Sequence, residues 1–267
     1  MILLDQAGAG AGRSRLFPPA PSLNSFVEHF WIQRYPLDPL QQPWRIVPDA
    51  SPHLILVVSD AQSLRARIRC TLVGARSCYV DTSVAKRIFT CGARLRPGAL
   101  PLLTRLPASD FTDRSVPVQD VFGPRGRLLT EQLGGSKSPI SALHIISEFL
   151  SRHFLSDRCT RQNQVARLPL GLHARVEHIA LQASLPARTL HSRMMQHVGL
   201  SPKRVLRVER LHCALAGSHD RSIPWVQIAA NAGFADQAHM IREFHDLLGE
   251  SPAIWRRRSC LPICSRQ

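Results

Sequence analysis

Apolar residues change their spacing near residue 118, and the change divides the chain. Upstream, HLILVV at 53–58 is a short apolar run of the kind a buried strand needs. LRARIRCTL at 64–72 alternates: Leu64, Ala66, Ile68, Cys70 and Leu72 share one side, Arg65, Arg67, Arg69 and Thr71 the other. Period two is the mark of a half-buried strand. KRIFTC (86–91) and ARLRP (93–97) continue in kind, and frequent Pro and Gly suit short strands joined by turns. These patterns predict a small antiparallel β barrel or sandwich from about 23 to 118. Residues 1–22, rich in Gly, Ala and Pro, read as a disordered tail.

Downstream the spacing is three and four. VQDVFGPRGRLLTEQL and SPISALHIISEFLSRHF both carry it, and Leu143, Ile146, Phe149 and Leu150 form one helical stripe. Ser138 and Pro139 make an N-cap and first-position pair. The stripe suits either internal packing or a seam between two copies. After a polar stretch, RCTRQNQ at 158–164, the pattern is helical to about 258. The predicted class is therefore α+β. Its divisions are a tail (1–22), a β-rich domain (23–123), a helical linker (124–168), an all-α domain (169–258) and a tail (259–267).

The all-α region repeats itself. Gly199-Leu200-Ser201-Pro202 returns as Gly249-Glu250-Ser251-Pro252. Ile179-Ala180, Leu185, Leu190 and Met194 precede the first; Ile228-Ala229, Phe234, Met240 and Phe244 precede the second. Each unit reads as a short helix, a tight turn and a longer helix: a helix-turn-helix written twice. Ala180 and Ala229 are small where helices cross. Gly233 suits a left-handed turn, for which the first unit offers only Ala183 or Ser184. Asp236 is placed to cap the following helix. The intervening helix, PKRVLRVERLHCALAG (202–217), would be about 20–25 Å long. Such a spacer can hold two recognition helices roughly one DNA turn, ~34 Å, apart.

Inward positions in the second unit are Ile241, Phe244 and Leu248, which leaves Gln237, His239 and Arg242 outward near the helix start. In the first unit Leu190, Met194 and Val198 face inward, which leaves Arg188, His191 and Ser192. Gln pairs with adenine and Arg with guanine through two hydrogen bonds each. Lys203, Arg204 and Arg207 open the spacer helix, where phosphate contact is expected. Each side chain taken alone also fits an ordinary solvated helix face; two matched units favour the reader.

Charge agrees. The net charge is +15 and the pI about 11.0, a balance that favours polyanionic partners, nucleic acid before an acidic membrane. It does not locate the surface, because the excess is spread over both halves. The seven Cys contain no Cys-x-x-Cys and read as reduced thiols. MILLDQAGAG meets Asp5 too early for a signal peptide, and LILVV is the longest aliphatic run, so no membrane span and a cytoplasmic location are expected. No metal, cofactor or catalytic residue is called for.

IAANAGFADQAHMIREFHDLLGESPAIWRR resembles the I-A-x-x-x-G-F-x-D-x-x-x-F-x-R-x-F-x-x-x-x-G-x-x-P pattern of the AraC/XylS transcription regulators, with Met240 for the first Phe. The first unit departs more: Pro186 stands where Ser is usual, Ser192 where Arg is usual and Met194 where Phe is usual. RIVPDASPHLILVV and GARLRPGALPLLTRLPASDFTDRSVPVQDVFG are similar to a β-rich N-terminal domain found on a subset of these regulators. The resemblance implies a sequence-specific regulator of transcription that binds double-stranded DNA. Its N-terminal domain would modulate binding through an unspecified small-molecule effector or self-association into a homodimer, with RNA polymerase a further partner.

Three alternatives stay open. The Arg65/Arg67/Arg69 row is a solvated strand face or an anion surface. His29, His53 and Cys78 would serve a metal-binding or enzymatic sensor, although no metal-binding or nucleophile motif accompanies them. A degenerate binder acting only through protein contacts is the third.

Overall fold

The computed structural model describes residues 14–34, 44–59, 67–82, 87–154 and 176–259. Arg65, the 158–164 stretch and most of both expected tails lie outside them.

Among the described residues eight strands precede the long helices: β1 Ser14–Phe17, β2 Val27–Arg34, β3 Trp44–Ile46, β4 His53–Ser59, β5 Arg67–Val73, β6 Val80–Thr82, β7 Arg87–Leu95 and β8 Ser115–Pro117. Six form one antiparallel sheet in the order β1-β2-β7-β4-β5-β8, and β3 pairs with β6. The sheet is antiparallel as expected. Its form differs from a barrel or sandwich, because β1 and β8 stand at opposite ends and helices, not a second large sheet, complete the core. In β5 the alternation holds, with Cys70 and Leu72 buried and Arg69 exposed; β4, expected as a buried run, alternates too, with Leu54, Leu56 and Val58 buried and the residues between them half-buried. Residues 87–91 and 93–95 of the two segments read as separate strands belong to the single strand β7. Gly92 lets it approach β4, since a Cβ there would sit 2.2 Å from the Leu54 carbonyl oxygen.

Two expectations need correction. Ser14–Phe17, placed in the disordered tail, is the edge strand β1, and Phe17 packs on the core. The helices expected as a linker belong to the sheet's own core. These are α2 Val118–Phe122, α3 Pro124–Gly134 and α4 Pro139–Phe154, preceded by α1 Ala99–Thr104. Leu143, Ile146, Phe149 and Leu150 are all buried with sheet residues, and Phe154 stacks on Phe26 at 4.4 Å. The stripe is internal packing. Ser138 Oγ accepts from the Ser141 amide and Ser141 Oγ from the Ser138 amide, a reciprocal cap over Pro139.

Among the described residues six helices follow: α5 Val176–Gln182, α6 Ala187–His197, α7 Pro202–Gly217, α8 Trp225–Asn231, α9 Gln237–Leu248 and α10 Pro252–Ser259. The start of α7, Val205 and Leu206, shares a core with α5 and α6. Its far end, Leu211, Ala214 and Leu215, shares another with α8 and α9. One rigid helix thus belongs to both units.

Candidate nucleic-acid interface

The two units repeat bond for bond. Ala183 N–H donates to the Ile179 carbonyl at 2.9 Å, and Ala232 N–H to Ile228 at 2.9 Å. Leu185 N–H donates to Ala180 and Phe234 N–H to Ala229, both at 2.9 Å. Ile179, Ala180, Ile228 and Ala229 are buried, which is why small or compact residues recur there. The left-handed turn residues are Ser184, φ 52°, and Gly233, φ 77°. Serine bears a conformational cost there that glycine avoids.

The units differ where α6 and α9 begin. Pro186 precedes α6 without a side-chain cap, whereas Asp236 accepts from the His239 amide at 2.6 Å. The second turn is one residue longer, since Phe234, Ala235 and Asp236 stand where the first has Leu185 and Pro186.

Burial sorts the outward residues. Leu190, Met194 and Val198 are buried, as are Met240, Phe244, Leu247 and Leu248; Ile241 is half-buried. Arg188, His191 and Ser192 on α6, and Gln237 and Arg242 on α9, are exposed. His239 is half-buried and engaged within its own unit. Its Nδ1 accepts from the Ala235 amide at 3.3 Å, its ring meets Phe234 edge-on, and Nε2 lies 3.7 Å from Glu243.

Lys203 and Arg204 are exposed at the start of α7. Arg207 is not free in the same way. Its Nε donates to Glu243 at 2.7 Å and its Nη2 to Asp246 at 3.1 Å, tying α7 to α9. Sequence pattern missed this because both partners lie more than thirty residues away.

The sequence reading also missed the seam between the β-rich domain and the helical units. Val47 joins the second unit's core; Ala50 and Ala75 join the first's. His212 Nε2 lies 2.6 Å from the Pro48 carbonyl oxygen. Arg94 meets Asp49 at 2.7 Å and Glu28 at 2.6 Å, and His53 meets Asp49 at 3.0 Å. Burial pushes the Asp49 carboxyl up, but Arg94 and His53 overcome it and hold Asp49 well below the usual range. Burial raises Glu209 on α7, which faces the same cluster, and lowers His29. His29, His53 and Cys78 do not gather: His53 is bound to Asp49, while the exposed Cys78 lines a cleft with Ser77, Arg204, Arg207, Asp246 and Leu247. Among the described residues no three His, Cys, Asp or Glu side chains form a metal-ligating group, and no helix is long and apolar enough to cross a membrane.

Residues 15–117 match a family described as a domain of unknown function, DUF6597, and residues 179–258 match the helix-turn-helix domain family. Over 81 residues the chain is 33% identical to the HTH-type transcriptional activator RhaS of Pectobacterium atrosepticum, and 32% identical to that of Pectobacterium carotovorum subsp. carotovorum. Each alignment takes 30% of this chain and spans 29% of the relative's length. An AraC-type regulator structure from Chromobacterium violaceum is 24% identical, over 33% of this chain and 80% of that one, with a TM-score of 0.31. ToxT from Vibrio cholerae is 10% identical over 86% of this chain and 97% of that one, with a TM-score of 0.44.

Proposed function

We propose that the chain, whose residues 179–258 match the helix-turn-helix domain family and resemble an HTH-type transcriptional activator, is a sequence-specific regulator of transcription of the AraC type. In this reading α6 and α9 enter successive major grooves on one side of a duplex. Arg188, His191 and Ser192 address one set of bases, Gln237 and Arg242 the other, with His239 shaping the turn beside them. Lys203 and Arg204 contact phosphate, and Arg207 braces α9 through Glu243 and Asp246. A single observation carries the reading: two units with the same turn hydrogen bonds keep polar residues exposed on the equivalent helix, at the two ends of one shared rod.

The remaining parts follow from the family resemblance. The β-rich domain modulates DNA binding, a second copy and RNA polymerase are protein partners, and the location is cytoplasmic. Residues 169–258 act as the DNA-binding domain.

The test begins with a binding site selected from random duplexes. Arg242→Ala should cost ~1–3 kcal/mol on that site and relax base choice at one position. Lys203→Ala should weaken all duplexes alike and reduce the salt slope by about one. Unchanged affinity and unchanged base preference for Arg242→Ala would remove α9 as a reader.

A further inference from the structure

We propose that the N-terminal domain supplies the C-terminal cap of the second recognition helix, making Arg45 and Tyr79 positioning residues for DNA reading. The proposal rests on α9 being a reader.

A helix leaves its last four carbonyls without intrahelical donors. In α9 the His245 carbonyl accepts from the Gly249 amide at 2.9 Å. The Leu247 and Leu248 carbonyls turn to the other domain. Tyr79 N–H donates to Leu247 at 3.0 Å, and Arg45 Nη1 donates to Leu248 at 2.6 Å. The guanidinium is held ready: its Nε and Nη2 grip Asp81 at 2.7 and 2.6 Å, and it lies 4.0 Å over the Tyr79 ring. Glu250 stands 3.8 Å away. A cation here also complements the negative end of the helix dipole.

The seat is shaped for this end of the helix. Gly249 has φ +69°, and a Cβ on it would lie 2.6 Å from the Tyr79 hydroxyl and 2.7 Å from its ring. Val47 enters the same core as Phe244 and Leu248. The first reader ends in a similar way. Thr112 Oγ1 donates to the Gly199 carbonyl at 2.7 Å, and a Cβ at Gly199 would meet that oxygen at 2.6 Å. Both readers thus rest their terminal glycines on the N-terminal domain, while Gln237, at the opposite end of α9, and Arg242, at its middle, stay exposed. The contact fixes the angle of the reader and leaves its face open. A reader without this seat must be ordered by DNA itself, and that cost comes out of affinity.

The experiment uses the full chain and the ratio of affinities for the selected site and a random duplex of equal length. Tyr79→Ala combined with Arg45→Ala should lower the ratio about tenfold, the weight of one lost helix cap, with random-duplex binding unchanged. Amide exchange in the last turn of α9 should rise. Arg45→Lys should recover part of the loss. Asp81→Asn, at an exposed position, loosens the grip on Arg45 and should give a smaller fall in the same direction; it keeps the test open if the double variant does not fold. An unchanged ratio in these variants, with Arg242→Ala still effective, overturns the cap alone. A rise in specific affinity also overturns it, because the seat would then restrain the reader. Failure of Arg242→Ala removes the reader and the cap with it.

Discussion

Asp236→Ala should loosen the first turn of α9 and little else. The first amides of a helix have no intrahelical acceptor, and the Asp236 carboxylate takes one of them, that of His239, at 2.6 Å. Its extended backbone, φ −158° and ψ 175°, is that of an N-cap already in place. Loss of such a cap costs ~0.5–2 kcal/mol, and loss of a negative charge beside the helix N-terminus a further ~0.3–1 kcal/mol at most. The two together predict about 1–3 kcal/mol, a large share for a helix of 12 residues. Asp236→Asn keeps the acceptor and removes the charge, so it should lose only the smaller part. Hydrogen exchange with single-amide resolution reads this directly. The alanine variant should expose the amides of His239 and Met240, and the asparagine variant should resemble the parent. Retained protection in the alanine variant would refute the cap's role. Pro186, which offers α6 no such acceptor, is the internal control: Pro186→Ala should leave the first turn of α6 as it is.

Two further outcomes concern protonation. Glu209 titrates above its ordinary 4.5 because it is buried, so the unfolded chain releases that proton first and stability falls as pH rises past 4.5. Glu209→Gln should therefore raise the denaturation midpoint at pH 7, and the gain should vanish below 4.5; an equal gain at both pH values would refute the assignment. Asp49 has the opposite sign. Its carboxyl titrates well below 3.8, so its contribution is intact above 3.8 and is lost as pH falls from there through the lower pKa of the folded chain; Asp49→Asn should abolish that loss in an acid titration. Burial pushes the thiols of Cys70 and Cys91 up to about 12, so at pH 8 a thiol reagent should label exposed Cys78 well before either. Labelling of Cys70 in the folded chain at the rate of Cys78 would contradict that burial.

Local pattern carried much of this protein. The apolar run in 53–58 and the alternation in 64–72 marked β4 and β5, and the echo of Gly-x-Ser-Pro marked both units, because strand and helix periods are properties of neighbouring residues. Asp236 and Ser138 were legible as caps for the same reason. Strand order was not legible, since β7 reaches β2 and β4 across long stretches of chain. Nor was β1, whose four residues lie in a segment rich in Gly and Pro. The helical stripe of α4 was visible, but not that it would close the sheet's own core. At the candidate interface, exposure of Gln237 and Arg242 follows from helix period alone. The engagement of Arg207 depends on Glu243 and Asp246, and the seam through Val47, Pro48 and Tyr79 on contacts across more than a hundred residues. Such pairings leave no periodic trace.

The unequal turns ahead of α6 and α9 have one more consequence. A dimer of identical modules suits a palindrome, because either strand offers it the same message. Here a single chain carries two dissimilar modules in a fixed order, one extra residue setting the second apart from the first. Flipped end for end, a target would present each module with bases meant for its neighbour. With both modules reading bases as proposed, the bound chain has an arrow, and a site can encode direction as well as position.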